Sequence, residues 1–284
     1  MPGAAWSYLR QLASYTWALE GEDPLLGEVA AELYSGATLA QGTPQAVFAL
    51  ERQGEDWVLR RGGTILGRAR TLAGFFQVAE WALTHETLLR LSHFFQVHAG
   101  TVVREGRARL IVGPPESGKT SLSLALALHG WSLFGDEVAL LEPASLQVRA
   151  YRRDLILRPG TRALLMPDLP PVPEFKWVAG DCYFPPRLLG VPPAPDPADL
   201  SGLIFPVLRL GARVEWAPLG LAEAARRLLE QSLNLGDWGA AGVELVGRLV
   251  ETCPAVELVF GDAREAAEVF SEIPGMAKAP GRKG

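Results

Sequence analysis

The eight residues Gly113-Pro114-Pro115-Glu116-Ser117-Gly118-Lys119-Thr120 fit the spacing G-x-x-x-x-G-K-[ST]. They lie between an apolar stretch, ARLIV, and a run rich in leucine and alanine, SLSLALALHG. No other segment constrains the fold as strongly. Glycine permits the backbone angles that turn successive N–H groups toward one anion. A helix that follows presents its positive N-terminus to the same anion. Lys119 is placed to reach outer phosphates as a point charge, and the Thr120 hydroxyl to coordinate Mg²⁺. The spacing therefore predicts strand, loop and helix around a nucleoside triphosphate. The contacting residues are Gly113, Pro114, Pro115, Glu116, Ser117, Gly118, Lys119, Thr120 and Ser121. The competing reading is a tight glycine turn beside a surface lysine.

After the predicted helix, WSLFGDEVALLE reads as one further strand. Strand, loop, helix, strand is the order of an α/β nucleotide-binding core. Parallel strands joined by a helix bring their C-terminal ends side by side, which puts Asp136 and Glu137 near Lys119. One carboxylate there suits Mg²⁺, and a second suits the proton of an attacking hydroxyl. An Asp-Glu pair is otherwise often a solvated turn. His98, in QVHAG, is a candidate for the same site, although a single histidine in an apolar stretch is usually a satisfied core residue.

Upstream, the pattern predicts a small α+β unit over residues 1–94. SYTWAL reads as a strand, Asp23-Pro24 as a helix start, and 46–52, 57–61 and 64–68 as short strands punctuated by glycine turns. Residues 72–95 carry apolar residues at helical spacing. The nucleotide-binding domain is expected over 95–275, with a disordered tail over 276–284. Pro167–Pro173 and Pro185–Pro197 read as irregular loops, 201–210 as a strand, 221–233 as an amphipathic helix and 256–260 as a final strand.

Composition narrows the partners. A net charge of −5 argues against a general nucleic-acid binder. Two cysteines, Cys182 and Cys253, build neither a disulfide framework nor a thiolate metal site. No apolar run approaches the ~20 residues that span a bilayer. The start MPGAAWSYLR lacks the features of a secretory signal. The expectation is a cytoplasmic protein that engages no membrane.

The run from His98 to Leu141 resembles the core of HPr kinase/phosphorylase and its relatives. Seventeen residues separate Lys119 from Asp136, and twenty-one separate His98 from Lys119; both spacings are similar to that family's. The resemblance implies a fold of α/β class, with a P-loop core of the phosphoenolpyruvate carboxykinase/HPr kinase type and a small N-terminal α+β unit. It implies that Lys119 and the loop hold ATP, that Thr120 and Asp136 hold Mg²⁺, and that Glu137 accepts a proton with help from His98. Glu137 stands where the family has an aspartate, and the loop reads GKTS where HPr kinases usually have a serine followed by an acid. The N-terminal unit looks more like relatives that phosphorylate a serine of a ribosomal peptide.

The expected function is a kinase that moves the γ-phosphoryl of ATP to a hydroxyl, on a serine of a peptide or protein. Arg152, Arg153, Arg158 and Lys176 are candidates to steady phosphate or an acidic substrate. Two alternatives are a nucleotide-binding regulatory protein without phosphoryl transfer, and an ATPase or small-molecule kinase such as one acting on free serine. An oligomer is compatible with either.

Overall fold

The computed structural model describes residues 5–167 and 170–273; the expected tail, 276–284, lies outside them. The chain is of mixed α/β class and divides into two compact units, Met1–His93 with Arg152–Leu188, and Phe94–Tyr151 with Leu189–Gly284. The segment 152–188, which the sequence places in the nucleotide-binding domain, groups instead with the first unit. Its proline-broken pattern hides a tertiary anchor that local reading does not reach.

The first unit is built on a six-stranded sheet. Trp6–Leu12 and Tyr15–Gly21 form an antiparallel hairpin, and Tyr15–Gly21 runs parallel to Ala46–Gln53 through the crossover helix Pro24–Glu32. The Asp23 carboxylate caps that helix by accepting from the N–H groups of Leu25 (2.8 Å) and Leu26 (3.4 Å), with Pro24 in the first turn. Ala46–Gln53, Asp56–Arg61 and Thr64–Ala69 continue as an antiparallel meander. The helix Leu72–Arg90 follows, its Thr71 hydroxyl accepting from Gly74 N–H at 3.1 Å. Trp17, Phe48, Phe75 and Phe76 fill the core. The sequence does not signal the strand Trp6–Leu12, because only Arg10 and Leu12 in it are buried and serine, arginine and glutamine interrupt its apolar residues.

The segment 152–188 adds a three-stranded sheet, Leu155–Leu157, Asp181–Phe184 and Trp177–Val178. Buried charge holds it. Lys176 is fully buried, and its ammonium lies 2.6 Å from Asp154 and 2.8 Å from Glu32, with Arg187 at 2.7 Å from the same glutamate. Arg153 pairs with buried Glu80, Nε at 2.9 Å and Nη2 at 3.0 Å. Arg153 and Lys176 are therefore committed to ion pairs inside the first unit, which corrects their candidacy for steadying phosphate. Arg152 and Arg158 also belong to that unit, Arg158 preceding the short helix Pro159–Leu165.

The second unit centres on a nine-stranded sheet. Arg107–Val112 lies between Ala99–Arg104, antiparallel, and Ala198–Leu208, parallel; Ala198–Leu208 pairs in turn with Ala255–Phe260, also parallel. The helix Lys119–Leu128 contacts Ala99–Arg104 and the helix Ala263–Val269. Leu221–Glu230 and Ala240–Thr252 pack together, and Ala224, Leu228, Leu245 and Leu249 join the core with Phe205 and Leu203. The helices at 240–252 and 263–269 and the short one at 159–165 were not read from the sequence. Among the described residues no helix is long and apolar enough to cross a membrane.

Removing one member of the buried charge cluster leaves the others desolvated and unmatched. Lys176→Met is expected to lower unfolding stability by about 3–5 kcal/mol in urea titration, with much of the loss recovered in Lys176→Met/Asp154→Leu. Burial pushes the Glu32 carboxyl up, but Lys176 and Arg187 outweigh this and hold it below the ordinary glutamate value. Its folded-state value is depressed, so its contribution is present above the unfolded value and lost as pH falls through the folded one. Glu32→Gln is expected to flatten the acid limb of the stability–pH curve.

Candidate functional site

The strand WSLFGDEVALLE is interrupted. Ser132–Gly135 pairs antiparallel with Ala99–Arg104, and Ala139–Leu141 pairs antiparallel with Phe95–Val97. Thr101 opposite Gly135 and Val97 opposite Ala139 share one register. Residues 98–100 and 136–138 thus face each other across a gap in a single antiparallel ladder. Gly135 is needed at the edge of the gap, because a Cβ there would sit 2.6 Å from the Tyr151 carbonyl oxygen.

This corrects the expected route by which the acid pair meets the loop. Ser132–Gly135 is not a parallel neighbour of Arg107–Val112; Ala99–Arg104 intervenes, antiparallel to both. The end result is similar. Ala99 pairs with Val112, immediately before Gly113, so the gap and the start of the loop lie at one end of the sheet.

Across the gap His98 meets Glu137. The ring Nδ1 is 2.9 Å from the Glu137 carbonyl oxygen and 3.5 Å from its Oε1. A carbonyl only accepts, so Nδ1 carries the hydrogen and Nε2 of the neutral ring is left as the acceptor. Asp136 is buried, while the Glu137 side chain is 39% exposed. The two acids thus differ in access to solvent although adjacent in sequence.

Residues 231–233, which the sequence places at the end of a helix over 221–233, leave that helix at Glu230 and fix His98 instead. The His98 N–H donates to the Gln231 carbonyl at 2.7 Å, and Leu233 N–H donates to the Gln96 carbonyl at 2.8 Å. Asn234 accepts from Gln96 N–H and donates to the Phe94 carbonyl, both at 2.9 Å. The chain leaving the helix Leu221–Glu230 therefore runs as a short strand-like rail beside Phe95–Val97. A buried asparagine placed to satisfy two backbone groups is the one local signal that was available.

In the loop, Gly118 holds φ +95° at the start of the helix, and a Cβ would approach Phe260 Cζ to 2.8 Å. Glu116 is also left-handed, at φ +68°. Pro114 and Pro115 have no N–H, and Ser117 N–H donates to the Pro114 carbonyl at 3.3 Å. These two prolines therefore shape the loop but supply no amide donor, a narrower cradle than the motif implies. Helical bonding begins with Leu122 N–H to the Gly118 carbonyl at 2.9 Å, so the N–H groups of Lys119, Thr120 and Ser121 point out of the helix end. The Lys119 ammonium is buried and donates to the Gly113 (2.6 Å) and Pro114 (2.9 Å) carbonyls, folded back over the loop. Ser117 Oγ is buried in the loop without a hydrogen-bond partner.

Thr120 stands one residue from Lys119 in the first helical turn, half-buried. Among the described residues no three His, Cys, Asp or Glu side chains gather as a metal site. The donors expected for a cation are one hydroxyl, Thr120, and one buried carboxylate, Asp136, the kind that Mg²⁺ takes alongside waters and substrate phosphates. The cysteines are both buried and unbridged.

Beside the loop lies a cleft of about 420 Å³ that the sequence did not suggest. It is lined by loop residues 113–117, by the strand end 205–208 with Glu257 on the neighbouring strand, and by Arg226, Arg227, Glu230 and Gln231 at the end of the helix Leu221–Glu230. Arg226 hydrogen-bonds Glu223 at 2.8 and 2.9 Å and pairs with Glu230; Arg227 pairs with Glu223 at 2.7 Å and Glu257 at 2.8 Å. Hydrogen bonds from Arg226 and then Arg227 hold the Glu223 carboxyl down to about 2. In sequence these residues are ordinary helix-surface charges at i, i+3 and i+4 spacing, which is why they carried no signal.

No family model matches the chain, and no curated protein matches it.

The loop conformation depends on a left-handed residue at position 118. Gly118→Ala is expected to cost about 1–2 kcal/mol from the backbone alone, with a further loss from the clash at Phe260. Urea unfolding of the two proteins measures this.

Proposed function

We propose that the chain is an ATP- and Mg²⁺-dependent kinase, related to HPr kinase/phosphorylase, that phosphorylates a serine hydroxyl of a peptide or protein. The observation that carries this reading is the opposition of His98 and Glu137 across the open ladder, at the sheet end where the Gly113 loop begins. A glycine–lysine loop alone is compatible with binding. An exposed carboxylate steadied by a histidine at the same end adds a proton acceptor, which transfer to a hydroxyl needs.

The loop's remaining amides and the helix end suit the inner phosphates, and the Lys119 ammonium exchanges its two loop carbonyls for outer phosphate oxygens. The unpartnered Ser117 hydroxyl adds a donor within the same curve. Thr120 and Asp136 would hold Mg²⁺, which supplies neutralisation of charge on the transferring group. The Glu137 carboxylate takes the acceptor's proton as its oxygen bonds to the γ-phosphorus. The bond from that phosphorus to the bridging oxygen breaks, and ADP leaves with the electron pair. His98 donates from Nδ1 to the Glu137 backbone, which orients the residue and keeps Nε2 open to relay the proton.

Transfer of labelled γ-phosphate to a library of serine peptides tests this reading. Lys119→Ala is expected to lose about 10²–10³-fold of the rate, and Glu137→Gln about 10²–10⁴-fold. Undiminished transfer by Glu137→Gln removes the proposed base. Tight ATP binding without transfer to any acceptor selects the regulatory reading instead.

A further inference from the structure

The cleft beside the loop opens away from the helix end. The amides at a helix start hold the inner phosphates of a nucleotide bound on such a loop, and the lysine the outer ones. The cleft is lined by 113–117 and not by 118–121, so it lies on the loop side of the phosphate site, away from the helix end. Its far wall includes Gln231, whose carbonyl receives the His98 N–H at 2.7 Å, and the His98 ring in turn bonds to Glu137. One wall of the cleft is thus one residue removed from the proposed proton acceptor.

The lining has two chemical halves. Phe205 packs in the core with Ala224 and Leu228, and alternation along the strand puts Val207 on the same side, toward the helix Leu221–Glu230. With Pro114 and Pro115 this gives an apolar floor. The charged residues are three carboxylates, Glu116, Glu230 and Glu257, against two guanidiniums, Arg226 and Arg227. Both guanidiniums are already matched by Glu223, Glu230 and Glu257, so the wall has a surplus of negative charge. A free amino acid would leave the floor uncovered, and an anionic occupant would meet that surplus.

We propose that this cleft is the acceptor site, and that it takes an extended peptide with an apolar residue and a basic residue flanking the serine. The assignment rests on the kinase reading and specifies its substrate class. The apolar side chain lies on Val207 and the loop prolines, the basic one joins the cluster of Glu223, Glu230 and Glu257, which sets three carboxylates against two guanidiniums, and the hydroxyl is directed to the Gln231 end.

The test places a thiol in the cleft. In Val207→Cys the two native cysteines are buried, so alkylation by iodoacetamide, followed by intact mass, reports on position 207. A serine peptide flanked by leucine and arginine is expected to slow alkylation about fivefold near saturation, whereas its aspartate-for-arginine counterpart and adenosine leave the rate unchanged. Protection by adenosine overturns the proposal by making the cleft the nucleoside's; equal protection by both peptides, or none, overturns it as well. Calorimetry with Mg–ATP on the wild-type chain separates the two readings. ATP binding without peptide protection removes the acceptor cleft alone, and absence of ATP binding removes the kinase reading beneath it.

Discussion

The second unit depends on one antiparallel ladder that is left open in its middle. Residues 95–104 and 132–141 keep a single register from Val97–Ala139 to Thr101–Gly135, yet the three residues between on each strand are not part of a strand pairing with one another. Backbone groups in a sheet are normally consumed by their neighbours. At the gap the Glu137 carbonyl accepts from the His98 ring, while on the other edge of Phe95–Val97 the His98 N–H meets Gln231.

The remaining parts of the candidate site are arranged around this gap by strand order. Ala99–Arg104 lies between the acid pair and the strand leading to the loop, so both reach the same sheet end without being neighbours. On the other side of Arg107–Val112, the long strand Ala198–Leu208 provides the cleft floor. On the proposed reading, the proton acceptor and the cleft converge at the Gln231 end, where the loop presents the donor. The rail after the helix Leu221–Glu230 joins these two through Gln231 and Asn234.

The first unit uses charge differently. Lys176, Asp154 and Glu80 are almost wholly buried, and each is matched at hydrogen-bond distance. Buried pairs add little net stability compared with well-packed apolar groups, but a missing partner is heavily penalised. Such a cluster favours one seating of the segment 152–188 over alternatives in which the charges would be unmatched. A long, proline-broken excursion is thereby returned to a sheet far from it in sequence.

The residues themselves determined much. The Asp23-Pro24 helix start, the meander over 46–69, and the loop and the helix after it follow from capping, turn chemistry and glycine's φ range, all acting within a few residues. The contact of His98 with Glu137 has a tertiary basis: they lie thirty-nine positions apart along the chain, and the ladder register sets His98 across from Val138 and Glu137 across from Ala99, diagonal neighbours that only the folded sheet brings together. The same holds for the cleft, assembled from four separate segments, and for the return of 152–188 to the first unit. Local preferences decide which elements form. Long-range strand register and the matching of buried charges decide which side chains meet, and no stretch of sequence read alone contains that information.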